Sequence, residues 1–326
     1  MKLRMLSAAD VRKALPMPLA IQVMQRAFAQ FSAGRTVVPL RTRIQVDGGN
    51  LMFFMPAFLK ESRELGLKVI ALWPDNSVKG LADAYSLVTI FDVDTGKPLA
   101  IMNGEELTAI RTGAGGGLAA DLLARPESSV VAVFGSGVQA RAQLEAVCAV
   151  RPIREVRIVG RTPVSAEKFA AEIRNWPDLP TVFTPPREEA VAKADIIITA
   201  TTSNTPVFKG KCLSPGTHIT AVGSYTHDMQ EVDSDTIRKA KIVVDSLEAC
   251  LAEAGDLIIP IEQKEITSDD IYAELGQIVN GDLPGRENPD EITYFKSVGI
   301  AAQDAASGHE IYRIAKEMNL GQLVEL

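Results

Sequence analysis

The sequence predicts an α/β fold in two domains, a doubly wound parallel sheet with a second, α+β part, and three observations predict it. The first is length: 326 residues exceed one ordinary domain of about 100–200 residues. The second is a change of texture at Pro126: before it, strand-like segments follow one another across turn residues, and after it short apolar runs alternate with helical stretches. The third is the run VVAVFGSGVQA at 130–140, a strand that stops at a glycine turn and opens a helix.

The elements follow in order. LSAADVRKAL (6–15) reads as a capped helix, Pro16 and Pro18 break it, and PLAIQVMQRAFAQFSAG (18–34) reads as an amphipathic helix ending at Gly34. PLRTRIQV (39–46), GGNLMFFMPAFL (48–59), GLKVIALW (66–73) and AYSLVTIFDVDTGKPLAIMNG (84–104) read as strands, with DVDTGK as a hairpin turn. From Gly104 the pattern becomes helical (EELTAIRTGAGGGLAADLLA, 105–124). Beyond Pro126, SSVVAVFG, EVRIVG, TVF, DIIITA, HITAVG and KIVVD are strands, and VQARAQLEAVCAV, SAEKFAAEIRN and REEAVAKA are helices. Strands separated in this way imply crossovers and a parallel sheet. The tail FKSVGIAAQDAASGHEIYRIAKEMNL (295–320) reads as one long helix that packs back on the first domain. The expected division is 1–113 plus a C-terminal helix at 305–326, and 114–304 for the parallel-sheet domain.

At 46% apolar and 23% charged residues, the composition is that of a soluble globular protein. A net charge of −7, spread along the chain, argues against a nucleic-acid partner. No stretch approaches the ~18 apolar residues of a membrane span, and the first residues lack the apolar core of a signal peptide. Cys148, Cys212 and Cys250 share no close spacing, so neither a metal site nor a disulfide framework is expected, and two of them read as buried fillers. A cytoplasmic, reducing setting is expected.

Gly135-Ser-Gly137-Val138-Gln139-Ala140 is the G-x-G-x-x-A form of the dinucleotide fingerprint. Gly135 permits the tight turn, Gly137 admits the pyrophosphate, and Ala140 lets the helix that opens at Val138 and Gln139 approach its strand. After the second strand an NAD site usually has an acid for the ribose hydroxyls. Here the positions are Gly160, Arg161 and Thr162, which suit a 2′-phosphate, so NADP(H) is the expected cofactor and NAD(H) the second choice.

Three cations stand in the first part: Arg41 in PLRT, Lys68 in GLKV and Arg111 in AIRTGA. An ammonium in an apolar strand is costly, so Lys68 either meets an anion or has a lowered pKa suited to proton transfer. Arg41 and Arg111 could clamp a carboxylate, but from composition alone they read as ordinary surface arginines. Late in the chain, HITAVGSYTHDM (218–229) ends a strand in polar residues at an edge where ligands bind in such sheets. Within it, His218 reads as core, Asp228 as a turn cap and His227 as a loop histidine.

The stretches PLRT (39–42), GLKV (66–69), LTAIRTGAGG (107–116), VFGSGVQA (133–140), VGRT (159–162), ITAVGS (219–224), VVDSLEACLAEAGDL (243–257) and FKSVGIAAQD (295–304) together resemble the ornithine cyclodeaminase/mu-crystallin family over nearly the whole chain. The resemblance implies a homodimer with a Rossmann domain for the nicotinamide cofactor and a first domain for substrate and subunit contact. It implies that Arg41, Lys68 and Arg111 bind the substrate carboxylate, with Lys68 in proton transfer. It also implies that Thr112 and Ser297 touch the cofactor and that Val222 and Gly223 line the nicotinamide.

Ornithine cyclodeaminases carry VGGD where this chain has Val222-Gly223-Ser224-Tyr225, so tyrosine replaces their carboxylate. A phenol of pKa near ~10 is a poor base at neutral pH. Reduction of a preformed C=N bond does not need that base. The chain therefore resembles the ketimine and Δ1-pyrroline-2-carboxylate reductase branch, with a small cyclic imino acid as substrate and Tyr225 beside it. Ornithine cyclodeaminase, alanine dehydrogenase and a mu-crystallin-like NADP-dependent binding protein are the alternatives.

Overall fold

β-Branched and aromatic runs become strands and alanine-rich runs become helices, with left-handed glycines and proline breaks separating them. The computed structural model describes residues 1–176 and 181–325. They form two units: Met1–Arg111 with the residues from Ile300 on, and Thr112–Gly299.

The first unit opens with β1 (Lys2–Leu6), a strand not expected from the sequence. Ser7 caps α1 (Ala8–Ala14): Asp10 N donates to Ser7 Oγ at 3.3 Å, and Ser7 N donates to Asp10 Oδ2 at 2.9 Å. Two prolines start α2 (Met17–Ser32), which buries Ala20, Val23, Met24, Ala27 and Phe28. Then come β2 (Thr36–Val37), β3 (Thr42–Gln45), β4 (Leu51–Leu59), β5 (Glu64–Leu72), β6 (Ala84–Phe91) and β7 (Pro98–Asn103). The β6–β7 turn is the expected one: Asp92 accepts from the Thr95 hydroxyl at 2.6 Å, and Gly96 takes φ 69°. α3 (Gly104–Leu123) follows, and the division between units falls within it.

The second unit runs β8 (Val130–Phe134), α4 (Val138–Val150), β9 (Glu155–Val159), α5 (Pro163–Ile173), β10 (Thr181–Phe183), α6 (Arg187–Val191), β11 (Ile196–Thr199) and β12 (His218–Ala221). It continues with α7 (Ser234–Lys239), β13 (Ala240–Val244), α8 (Leu247–Glu253), α9 (Gly255–Glu262), β14 (Ile271–Glu274), α10 (Leu275–Val279) and β15 (Ile292–Lys296). All strand pairs are parallel, in the order β10-β9-β8-β11-β12-β15-β13-β14. This is a doubly wound Rossmann sheet, and its central strands β8, β11 and β12 are buried on both faces, as covering helices demand. His218 is fully buried and neutral: burial, then the charges of Arg286 and Arg151, push its pKa down to about 3. Its ring nitrogens bond Thr293 Oγ1 at 2.9 Å and Thr220 Oγ1 at 3.0 Å.

The tail corrects the sequence reading. The single helix expected over 295–320, with 305–326 joining the first domain, is a strand, a helix and another strand. Phe295 and Lys296 belong to β15, and Gly299 turns the chain at φ 84°. α11 spans Ala301–Glu317, Asn319 and Gly321 take φ 52° and 72°, and β16 (Gln322–Glu325) pairs antiparallel with β1. A single apolar stripe could not distinguish these pieces, because Phe295, Val298 and Ile300 are apolar in either conformation. Of the three cysteines, Cys250 alone is fully buried, and Cys148 and Cys212 are half-buried.

The first unit's sheet has the order β16-β1-β7-β6-β5-β4-β2, with β3 beside β4. α11 crosses β4, β5 and β6 and packs on α2. Its small residues bring it close: a Cβ at Gly308 would stand 2.8 Å from Ile90, and one at Gly66 would stand 3.1 Å from Ala305. A methyl group at Gly66 would press on the α11 backbone at Ala305, and one at Gly308 would require the Ile90 side chain to shift.

Candidate active site

Period-two alternation in β5 points Gly66 and Lys68 to the face covered by α11. Lys68 is fully buried. Its Nζ lies 2.7 Å from Asp304 Oδ2, off the line a hydrogen bond requires, so the contact is an ion pair. Neither atom has a hydrogen-bond partner among the described residues. Arg111, from α3, donates through Nε to Asp304 Oδ1 at 3.0 Å and through Nη1 to Gln303 Oε1 at 2.6 Å. The Gln303 oxygen also accepts from Ile300 N at 3.0 Å, which fixes the amide and leaves its buried Nε2 without a partner. The cluster thus holds two cations against one carboxylate, with spare donors.

Burial, then the charge of Arg111, push the Lys68 pKa down to about 7; Asp304 opposes that shift and Arg41 adds to it. Arg41 is half-buried, with its guanidinium 4.9 Å from the centre of the Phe53 ring. A buried amine balanced near neutrality can give or take a proton at physiological pH. An excess of positive charge in a dry site calls for an anionic ligand.

In the second unit, Gly135 and Gly137 follow β8. Gly135 takes φ 121°, and a Cβ there would stand 2.4 Å from Ala200 O, so only glycine fits. At Gly137 a Cβ would meet nothing within 4 Å, so the backbone is open to a ligand. α4 has no side-chain cap on its first turn, whereas α5 is capped by Thr162, whose Oγ1 accepts from Ser165 N at 3.2 Å. The open amides of α4, opened by the exposed Val138, make an anion site of the kind a pyrophosphate fills. Gln139 adds a buried Oε1 without a partner. One groove joins Gly135, Gly137, Gly160, Arg161 and Thr162 to Thr201–Ser203 and to Arg187, a residue the sequence reading did not select. These residues fit a dinucleotide.

The remaining expected residues are placed as follows. Thr112 accepts from Gln143 Nε2 at 2.8 Å through its carbonyl. Ser297 is buried, and its hydroxyl donates to Asp245 Oδ2 at 2.7 Å. Val222 and Gly223 are half-buried just after β12, and Tyr225 is 39% exposed beyond them. Asp228 accepts from Thr226 Oγ1 at 2.7 Å, which lowers its pKa and makes it a turn-forming carboxylate. His227 is exposed beside Glu262. Sequence reading missed Gln303 and Asp304, whose one available signal was a polar pair inside an alanine-rich helix.

A model of the ornithine cyclodeaminase/mu-crystallin family matches residues 1–319. The chain is 41% identical over 322 residues to a Δ(1)-pyrroline-2-carboxylate reductase of Bacillus cereus, spanning 98% of this chain and 99% of that protein. Among solved structures it is similar to Thermococcus litoralis Δ(1)-pyrroline-2-carboxylate reductase in complex with NADH and L-proline, with TM-score 0.95, 42% identity and coverage of 99% and 100% of the two chains. It is also similar to an archaeal alanine dehydrogenase dimer with bound NAD, with TM-score 0.94, 34% identity and full coverage of both, 100% and 100%.

Proposed function

The chain belongs to the ornithine cyclodeaminase/mu-crystallin family, and on that premise we propose that it is an NAD(P)H-dependent oxidoreductase acting on C=N bonds. In this reading it reduces a small cyclic imino acid, Δ1-pyrroline-2-carboxylate or Δ1-piperideine-2-carboxylate, to L-proline or L-pipecolate. The observation that carries it is Lys68: a fully buried amine, near neutrality, inside a cation-rich cluster.

A preformed C=N bond needs a hold on the carboxylate, a hydride and one proton. Arg111, already fixed by Asp304 and Gln303, offers its remaining N–H groups to the carboxylate, and Arg41 adds a second cation. Lys68 hydrogen-bonds the ring nitrogen and delivers the proton, then recovers one from solvent; Asp304 steadies its charged form. When bound, the nicotinamide supplies the hydride to the carbon that bears the carboxylate. Tyr225 supports the same reading, since it stands where a deaminase would need a base.

Similar solved proteins carry NADH and NAD. Two features support NADP(H) here: Arg161 and Arg187 line the groove without a hydrogen bond or ion pair among the described residues, and no acid ends β9. A homodimer is supported by the sheet face opposite α11, where Met5, Tyr85 and Leu87 are 48%, 48% and 56% exposed.

The test mixes purified protein with Δ1-pyrroline-2-carboxylate and follows nicotinamide absorbance with NADPH and NADH in parallel. Imine-dependent oxidation, faster with NADPH, is expected. Conversion of ornithine to proline and ammonia at catalytic NAD, without imine reduction, would overturn the reading. So would ammonia-dependent reduction of pyruvate alone.

A further inference from the structure

The second unit contains a buried carboxylate that the proposed chemistry does not use. Glu231 is fully buried in the segment between β12 and α7. Its Oε1 accepts from Thr201 N at 2.6 Å and Thr201 Oγ1 at 2.8 Å. Its Oε2 accepts from Thr199 Oγ1 at 3.0 Å, Gly223 N at 2.7 Å and Ser224 N at 3.2 Å. One side chain therefore ties the end of β11 to the loop that leaves β12. Asp256 anchors it from behind: its Oδ1 accepts from Glu231 N at 2.6 Å and Val232 N at 3.1 Å. Its Oδ2 accepts from Lys296 Nζ at 2.9 Å and Tyr294 OH at 3.3 Å. There is no slack on the loop side, because a Cβ at Gly223 would stand 2.2 Å from Thr201 O and 2.5 Å from Glu231 Oε1.

The sheet order gives this clamp its place. Parallel strands β9, β8, β11 and β12 lie side by side, and their carboxyl ends share one edge. The phosphate turn follows β8 and the Arg161 end follows β9, so an adenosine half there, flanked by Thr201–Ser203 after β11, leaves the end of β12 for the other half of a dinucleotide. Five donors converge on Glu231: three from the end of β11, where Thr201 also flanks the groove of Gly135 and Arg161, and two from Gly223 and Ser224 of the β12 loop.

We propose that Glu231 is a positioning residue, which ties the β12 loop to the end of β11 so that Val222 and Gly223 are set to receive the nicotinamide half of the cofactor, and which acts on the adenine half far less. The inference rests on the reading of this edge as a nicotinamide dinucleotide site. In Glu231→Gln the amide NH2 faces donors in either orientation, so either Thr201 N or Gly223 N and Ser224 N lose their acceptor and the tie between the two loops is broken.

Equilibrium binding tests it, by titrating NADPH against 2′,5′-ADP and NADH against 5′-ADP, with thermal unfolding alongside. Loss of one charge-accepted buried hydrogen bond predicts dinucleotide affinity weakened by about tenfold or more in E231Q, with the adenine fragments within about twofold of wild type. Thr199→Val, a strand-compatible substitution that deletes one donor, predicts the same selectivity at about threefold and carries the test if E231Q does not fold. A lowered melting temperature with equal loss for dinucleotide and fragment, or with no loss in either, would overturn the clamp while leaving the cofactor reading intact. Wild-type protein that bound no dinucleotide at all would overturn both.

Discussion

Two sets of cations in this molecule meet opposite fates. In the first unit Lys68 and Arg111 are buried, 0% and 4% exposed, and tied to Asp304. In the second, Arg161 and Arg187 are exposed on a groove and bonded to nothing among the described residues. Burial converts the first set into chemistry: desolvation moves the lysine to about 7, where its proton becomes transferable. Exposure keeps the second set as plain positive charge, fit for recognition and open to salt. The lesson is that the same formal charge serves as acid or as tether according to the water around it.

The largest expected effect breaks the buried set. Lys68→Met should lower kcat/KM for imine reduction by about 10²–10⁴, with NADPH affinity unchanged. It should also raise stability. Lys68 titrates near 7 in the folded protein against 10.5 for an ordinary lysine, so the unfolded chain holds the extra proton between those values. Stability from this group therefore rises with pH across that window, and the full penalty applies below it. Melting temperatures from about pH 6 to about pH 11 cover the window from about 7 to 10.5, and K68M should remove the Lys68 share of the slope. An unchanged slope would remove Lys68 from the account.

Asp304→Asn sharpens the same set. Asp304 holds the Lys68 pKa up, so its loss should move the alkaline fall of the pH–rate profile to lower pH. A profile that kept its position would mean that another group delivers the proton. Next comes the exposed set. Arg161→Ala with Arg187→Ala should weaken NADPH by about 10- to 100-fold and flatten its salt dependence, with NADH and melting temperature hardly altered. Equal losses for both cofactors would argue for adenine contact instead of a 2′-phosphate. Smallest of all, Asp228→Asn should change turnover by less than about twofold, because that carboxylate is occupied with Thr226. A large loss there would reopen a deaminase role.

Motifs made of neighbours were legible in the sequence, and partnerships across the chain were not. The turn at Gly135, the Thr95 hairpin and the alternation of β5 all depend on residues a few positions apart. Lys68 could be recognised as costly, since an ammonium among Gly66, Leu67 and Val69 must be answered by something. What answers it could not be read, because Asp304 sits in a helix whose alanines advertise packing. Arg187 likewise reads as one more exposed arginine until the end of β9 is seen beside it. The tail failed for a different reason: left-handed turns at Gly299 and Asn319 cut a stripe that looks continuous in one dimension.

The first unit is written in two places, with the whole of the second between them. On a ribosome, β5 and its lysine emerge early, but α11, with Asp304, and β16, which pairs with β1, come only after the Rossmann sheet has been made. The first unit therefore closes last, through contacts of long sequence separation, which are slow to form. Until then Lys68 stays in water as an ordinary charged lysine. Its lowered pKa is acquired only when α11 covers β5 and brings Asp304 to it, at the final step of folding.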